Sequence, residues 1–366
     1  MDHADLISSI TTYELLPLLD SDDGPYLLDV REVDEVADWK IRGVHNIPLD
    51  TLEQRVDEVP RDQHLVVICA KGTRARQGAE ILARHDIASD VLEGGMAGWA
   101  STYDTVTGEF AGATVVQIRR RGKGCLSYVV GAGTRAVVID PSRELGQYFD
   151  VARNHGWTMT HVLDTHLHAD HLSGARELAA ESGAALWLNP GDPFRFPYEP
   201  LVDGQSIELK PGVDLRISSV SVPGHTEGST MYQLDEQAIF TGDTLFLESV
   251  GRPDLADEAE AFAHHLYESL HQRVLPLSGE ITVFPAHFGA SVEVHAHEFV
   301  ARDLESLRHE LAALALDEDD FVAWAVANVK DRPGNYKEIV RINAGEVDLD
   351  AEGVDLEMGP NRCAIA

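Results

Sequence analysis

Residues 165–171 read Thr-His-Leu-His-Ala-Asp-His and directly follow the apolar run HVLDT. In an extended segment, side chains two apart share a face, so His166 and His168 can aim at one centre. Asp170 and His171 then fall where the chain turns into the next helix. Imidazoles and a carboxylate packed this closely are ligand chemistry for a transition-metal ion, whereas a lone histidine is more often a packed core residue. Further ligand-type residues lie in short loops after apolar runs: His225 in VPGHTEGS, Asp243 in IFTGDTLF and His287 in VFPAHFG. All of them can converge on one edge of a sheet structure, and Gly224, Gly228 and Gly242 beside them suit tight turns. The inventory alone leaves one ion or two open. His264, His265, His295 and His297 sit in acidic, helix-like stretches and read as surface residues.

A second chemistry is written at Cys69, which ends the apolar run HLVVI and opens the loop Cys-Ala-Lys-Gly-Thr-Arg-Ala. A thiol there meets backbone N–H groups, a helix N-terminus, Lys71 and Arg74, all of which favour the nucleophilic thiolate. The plainer reading is a buried core cysteine, and the positive, glycine-containing loop argues against it. A cysteine phosphatase would place its arginine one position later, where this chain has Ala75. Cys125 and Cys363 are expected to be buried structural thiols without a catalytic role.

These side chains need a scaffold. YLLDV (26–30) and HLVVIC (64–69) are continuous apolar runs suited to buried parallel strands, SDVLEGG (89–95) is a third strand, and 76–85 reads as a helix. Thr11 or Thr12 caps an amphipathic helix carrying Leu15, Leu16, Leu18 and Leu19. The expectation is a small α/β domain with its sheet covered on both faces. The polar stretch STYDTVTGEFAG (101–112) reads as a linker. From 113 onward, consecutive strands (ATVVQIRR, LSYVVGAG, RAVVID) and then alternating strands and helices imply two sheets flanked by helices. Helices at about 299–315 and 317–329 precede a C-terminal tail.

The chain has 366 residues, room for two cores, and 44% apolar residues. Acidic residues number 62 against 29 basic, for a net charge of −33, and only six of the basic residues are lysine. The acidity runs along the whole chain, which suits a halophilic protein in concentrated salt, where screening weakens self-repulsion. Nucleic acid and anionic membranes need basic patches and are disfavoured as partners. No apolar run approaches the roughly 20 residues of a membrane span, and the N-terminus does not look like a signal peptide. Three scattered cysteines point to a reducing cytoplasm rather than a disulfide framework.

HLHADH, PGHTEGS, TGDT and PAH, in this order, resemble the metallo-β-lactamase superfamily over about 112–366, which implies an αββα metallo-β-lactamase-fold sandwich with the metal at one edge. Within it, FTGDTLFLESVGRPDLAD (240–257), GCLSYVV (124–130), PGNYKEIVRIN and GPNRCA resemble the persulfide dioxygenases. That resemblance implies one Fe(II) per chain held by His166, His225 and Asp243. His168, Asp170, His171 and His287 would orient ligands and water, and Arg252 would hold substrate unless it forms a loop ion pair. The chemistry agrees: two histidines and a carboxylate on Fe(II) leave positions for O2 and substrate, and zinc has no redox chemistry. The glyoxalase II type is similar too, and would use the same residues for two zinc ions and thioester hydrolysis.

LLDVREVDEVADWKIRGVHNIP (27–48), the Cys69 loop and LEGGMAGW (92–99) resemble the rhodanese family. The implied plan is an α/β rhodanese domain over 1–107 and a persulfide dioxygenase domain over 112–366. The implied activity is oxidation of a low-molecular-weight thiol persulfide, such as glutathione persulfide, to sulfite and thiol with O2. Cys69 would transfer sulfane sulfur, with thiosulfate or sulfite as a further partner. The family often pairs, so a homodimer is implied. A persulfide carrier or sensor without turnover is the remaining expectation; it predicts stoichiometric loading of Cys69.

Overall fold

The computed structural model describes residues 3–21, 23–210, 216–255, 258–289, 291–329, 332, 334–348 and 355–365. The last two residues of the 240–257 segment and Pro333 of PGNYKEIVRIN lie outside them. The chain divides into two compact units, one built mainly from Met1–Asp104 and the other mainly from Thr105–Arg119 and Gly124–Glu357.

The first unit is a parallel five-stranded sheet in the order β1-β5-β4-β2-β3, where β1 is Ile7–Ile10, β2 Tyr26–Asp29, β3 His45–Asn46, β4 Leu65–Ile68 and β5 Ser89–Leu92. Its central strand is apolar at every position because alternate residues feed two cores. Leu65, Val67 and Cys69 pack with Ala75, Ala79 and Leu82 on one face. Val66 and Ile68 pack with Leu15, Leu16, Met96 and Trp99 on the other. The sheet is covered on both faces, as expected of such runs. Thr11 caps the helix Thr12–Leu19, with Glu14 completing a capping box.

The second unit packs two mixed sheets. One runs β12-β11-β10-β9-β8-β7-β6 and the other β13-β14-β15-β16-β17-β18. The strands are β6 Tyr103–Phe110, β7 Ala113–Arg120, β8 Cys125–Ala132, β9 Arg135–Ile139, β10 Thr158–Leu163, β11 Ala185–Leu188, β12 Glu199–Pro200, β13 Ser206–Glu208, β14 Arg216–Ser221, β15 Thr230–Leu234, β16 Ala238–Gly242, β17 Thr282–Pro285 and β18 Arg302–Asp303. Between the sheets lies one core that includes Tyr128, Val137, Ile139, Leu163, Tyr232, Phe240 and Phe284. Phe240 and Phe284 stack at 5.4 Å, and Tyr128 meets both edge-on. Helix Ala175–Ser182 lies against β10 and β11, while helices Ala259–Ser269 and Glu318–Ala327 add Leu266 and Phe321 to the core.

Two readings need correction. The expected linker at 101–112 is mostly strand β6, whose residues are largely half-buried or exposed. A polar edge strand and a linker share a composition because an edge needs little apolar surface. The C-terminal tail is not featureless: Tyr336–Asn343 is a helix. It is only eight residues long, and of its apolar residues Tyr336, Ile339, Val340 and Ile342 only Ile339 is buried.

What positions the chemistry is strand direction. β9 runs parallel to β10, and β16 runs parallel to β17. Asp140 and Asp164 therefore directly follow the C-terminal ends of one parallel pair, and Asp243 and the Ala286–His287 segment follow those of the other. Ligands in open sheets gather outside carboxyl ends of strands for the same reason. Two buried tyrosines tie the core to these ends: Tyr232 Oη donates to the Asp164 carbonyl at 2.8 Å, and Tyr128 Oη donates to the Pro285 carbonyl. Among the described residues no helix is long and apolar enough to cross a membrane.

Candidate functional site

The loops after these strands bring His166, His225 and Asp243 together as a fully buried trio whose ligand atoms lie within 4.8 Å of one another. Asp243 Oδ2 stands 3.6 Å from His166 Nε2 and 3.4 Å from His225 Nε2. None of these three atoms has a hydrogen-bond partner among the described residues. Buried polar atoms are rarely left so, because each costs about 1–3 kcal/mol.

The opposite atom of each ligand is occupied, which fixes its orientation. His225 Nδ1 donates to the Arg252 carbonyl at 2.9 Å. His166 Nδ1 lies 2.9 Å from Thr165 Oγ1, which donates in turn to Asp140 Oδ2 at 3.0 Å. Asp243 Oδ1 receives His287 Nδ1 at 2.6 Å. Burial holds the His166 and His225 rings below the usual imidazole range, so they stay neutral, the ligating form. Burial alone would raise Asp243, but His287 and His166 pull it below the ordinary carboxylate range. Two neutral imidazoles and one carboxylate are a donor set for a divalent metal, and these residues fit one.

The other four predicted residues divide. His168 Nε2 meets Asp140 Oδ1 at 3.2 Å, with Asp164 Oδ1 at 3.9 Å, while its Nδ1 is buried without a partner among the described residues. Burial holds Asp164 up at about 6. Asp170, His171 and His287 group with Cys125. Asp170 Oδ1 is 3.0 Å from His171 Nδ1, and Asp170 Oδ2 is 3.0 Å from His287 Nε2, close enough for an ion pair but not aligned as a hydrogen bond. Burial opposes charge on His171, yet Asp170 beside it pushes the ring up to about 10.

Residues 120–287 match the metallo-beta-lactamase superfamily model, and residues 11–102 match the rhodanese-like domain model. A hydroxyacylglutathione hydrolase of Methylococcus capsulatus is 36% identical over 200 residues, covering 50% of this chain and 72% of that protein. The chain belongs to the metallo-beta-lactamase superfamily. The mitochondrial persulfide dioxygenase ETHE1 of Bos taurus is 30% identical over 174 residues, 45% of this chain and 65% of that one. The crystal structure of ETHE1 from Myxococcus xanthus shares the fold, with a TM-score of 0.55 at 24% identity, covering 62% of this chain and 96% of that one.

In this superfamily member, Arg252 forms the loop ion pair that was the alternative to a substrate role. Its guanidinium forks onto Asp254, Nε to Oδ1 at 2.7 Å and Nη2 to Oδ2 at 2.9 Å, and Nη1 donates to the Arg362 carbonyl at 3.0 Å. Its backbone carbonyl also orients His225.

Sequence reasoning missed the residues that fix the loops. Asp140, at φ +52°, accepts the Thr165 N–H at 2.6 Å besides its hydroxyl. Asp192 Oδ2 accepts from Leu167 N–H at 2.7 Å and Thr226 Oγ1 at 3.0 Å, and Oδ1 accepts from Gly228 N–H at 3.0 Å, fastening the HLHADH loop to the PGHTEGS loop. Asn343, at the end of the overlooked helix, donates to the carbonyls of His168 and His171 at 2.9 and 2.8 Å. The only signal for Asp140 was an aspartate closing an apolar strand. Nothing local marks Asp192 or Asn343.

In the rhodanese-like unit, Cys69 is buried and its Sγ accepts the Gly72 N–H at 3.1 Å. Gly72 has φ +98° and precedes helix Thr73–Arg84, as the loop reading required. The loop is held from behind by Met96 N–H to the Cys69 carbonyl at 2.8 Å and Ala97 N–H to the Ala70 carbonyl at 3.0 Å. A Cβ on Gly95 would stand 2.2 Å from the Cys69 carbonyl oxygen, so only glycine permits this approach. Arg74 forks onto Glu35 with both contacts at 2.7 Å, and Lys71 is exposed.

Two outcomes follow. Asp140→Ala removes both acceptors from Thr165 and frees the His166 ring; metal affinity of the full chain should fall about 10- to 100-fold by competition with a chelator. The Arg74 fork holds Glu35 down at about 2. A depressed carboxyl contributes stability that is complete above its ordinary pKa and is lost as pH falls toward the folded value. Glu35→Gln should therefore lower the unfolding free energy of this unit at pH 7, read by denaturant titration, by about 1 kcal/mol for a partly exposed pair, and the gap should close between about pH 4.5 and 2.

Proposed function

We propose that this chain oxidises the outer sulfur of a low-molecular-weight thiol persulfide, such as glutathione persulfide, to sulfite with O2, using one ferrous ion held by His166, His225 and Asp243. The observation that carries the reading is the separation of the ligand residues. Three buried atoms face one another without partners, while Asp170 is engaged with His171 and His168 Nε2 with Asp140, His168 keeping only Nδ1 without a partner among the described residues. A set of two histidines and one carboxylate that leaves positions open is the ferrous oxygenase pattern. Ferrous iron supplies the redox chemistry that lets O2 react with a sulfur substrate. The reaction balances as persulfide plus O2 plus water giving thiol plus sulfurous acid: the outer sulfur loses four electrons and O2 gains four.

The protein's part is positioning. The Arg252 carbonyl and Thr165 hydroxyl keep the two imidazoles presenting Nε2, and His287 keeps Asp243 presenting Oδ2. Burial of all three excludes bulk water from the donors. The similarity to the bovine persulfide dioxygenase supports this reading. The similarity to a hydroxyacylglutathione hydrolase supports a second one, a two-zinc thioester hydrolase, because every ligand-type residue for two ions is present.

Cys69 is proposed to exchange sulfane sulfur. Its thiolate attacks the outer sulfur of thiosulfate or of a persulfide, forming an Sγ–S bond and releasing sulfite or thiol. Gly72 N–H stabilises the sulfur anion. The acidic surface suits a halophilic, cytoplasmic setting.

Protein purified without oxygen should contain about one iron per chain and consume O2 with glutathione persulfide while sulfite accumulates. Cys69→Ser should keep that activity and lose sulfur transfer from thiosulfate. Two zinc ions per chain, with thioester hydrolysis and no O2 uptake, would establish the hydrolase instead.

A further inference from the structure

The segment from His166 to helix Ala175–Ser182 forms no helix or strand of its own, so its backbone polar groups need partners from elsewhere. Residues near the C-terminus supply several. Asn343, which holds the His168 and His171 carbonyls, also accepts the Ser173 N–H on Oδ1 at 3.0 Å. Leu172 N–H donates at 2.9 Å to Oε1 of Glu357, a carboxylate 185 residues further along the chain and only 2% exposed.

The second oxygen of Glu357 reaches a different loop. Oε2 lies 3.2 Å from Arg143 Nε, so the cost of burying this charge is offset by an ion pair and a charge-assisted hydrogen bond. Arg143 belongs to the turn after β9 that begins with Asp140. That turn is joined to the metal loop by backbone: Ser142 bridges Ser173, and Gly174 N–H donates to the Pro141 carbonyl at 2.7 Å. A Cβ on Gly174 would overlap the Ser142 carbonyl oxygen, so the approach requires glycine. One carboxylate therefore pins two loops that carry the groups behind two ligands. Asp140 backs Thr165 and, through it, His166. Asp170 lies 3.0 Å from His287 Nε2, and the other ring nitrogen of His287 holds Asp243.

The third ligand is served by the same stretch of chain further on. Arg252 N–H donates to the Cys363 carbonyl at 2.9 Å and Ile365 N–H to the Val250 carbonyl at 3.0 Å, around a bridge between Gly251 and Ala364. The strip 250–252 is thus pressed between residues 363–365 and the ligands. A Cβ on Gly251 would overlap the Asp243 carbonyl oxygen and stand 3.3 Å from His225 Cβ. From this strip Arg252 offers His225 its carbonyl.

We propose that Glu357 is a positioning residue of the metal centre and that, with residues 361–365, it forms a clasp behind all three ligands. A segment that only covered a surface would dock by apolar contacts. A buried carboxylate with one oxygen on each of two loops fixes their separation, which is what a constellation of unpartnered ligand atoms needs. The proposal rests on the trio binding a metal and is independent of the reaction performed there.

The test is cobalt(II) binding to the metal-free full-length chain, compared with its Glu357→Ala and Glu357→Gln variants. Glu357→Ala should weaken binding about 10-fold in competition with a chelator. It should also shift the visible ligand-field absorption of the saturated protein, because ligands without backing change geometry as well as affinity. Glu357→Gln keeps an acceptor for the Leu172 N–H and should recover most of the affinity and the original spectrum. Unchanged affinity and spectrum in Glu357→Ala would overturn the proposal, as would a loss that Glu357→Gln does not rescue. Should Glu357→Ala fail to fold, Arg143→Gln releases the clasp from its other end, and an unchanged spectrum and affinity there would overturn the proposal equally. An unaltered chain that binds no cobalt would sink the metal centre itself, so the two failures are told apart.

Discussion

Leaving a buried imidazole nitrogen or carboxylate oxygen without a partner costs about 1–3 kcal/mol, and this fold holds three such atoms facing one another at His166, His225 and Asp243. An arrangement that repels its own members cannot be kept by those members. It must be imposed by the groups behind them, and much of the second unit can be read as doing so. The Arg252 carbonyl, the Thr165 hydroxyl backed by Asp140, and His287 each occupy the far side of one ligand. The same ring that is fixed at Nδ1 is thereby left with a lone pair at Nε2, so orientation and protonation state come from one contact.

The scaffold makes those contacts possible by strand direction. A purely antiparallel sandwich would send successive strand ends to opposite edges. Parallel pairing of β9 with β10, and of β16 with β17, gathers ends from both sheets. The loops that follow are short, and Asp192 and Asn343 fasten them to one another and to the C-terminal helix. Tyr128 and Tyr232 anchor the same loops to the core through the Pro285 and Asp164 carbonyls. Packing, register and site geometry are therefore one mechanical system. In the rhodanese-like unit the same logic is simpler: a strand buried on both faces ends at Cys69, and a glycine-bearing turn offers its thiol a backbone N–H.

What could be read from the sequence was whatever is local in chain and chemistry. HLHADH announces ligands because histidines two apart share a face, and the apolar run of β4 announces a strand covered on both sides. The cysteine loop was legible for the same reason. Contacts between distant positions were not. Asp192 reaches Gly228 and Asn343 reaches His168 only after folding, and neither residue type is unusual in a loop or at a helix end. Arg252 was left between a substrate group and a loop ion pair because an arginine's charge is visible in sequence while its partner is not; Asp254, two residues on, takes its fork. The polar strand β6 resembled a linker because sheet edges tolerate polar residues.

The most direct test of the central claim is anomalous diffraction at the iron edge from crystals grown and kept without oxygen. The account predicts one iron peak per chain, within bonding distance of His166 Nε2, His225 Nε2 and Asp243 Oδ2. No iron at that trio, or two equal peaks with the second among Asp170, His171 and His287, would contradict it.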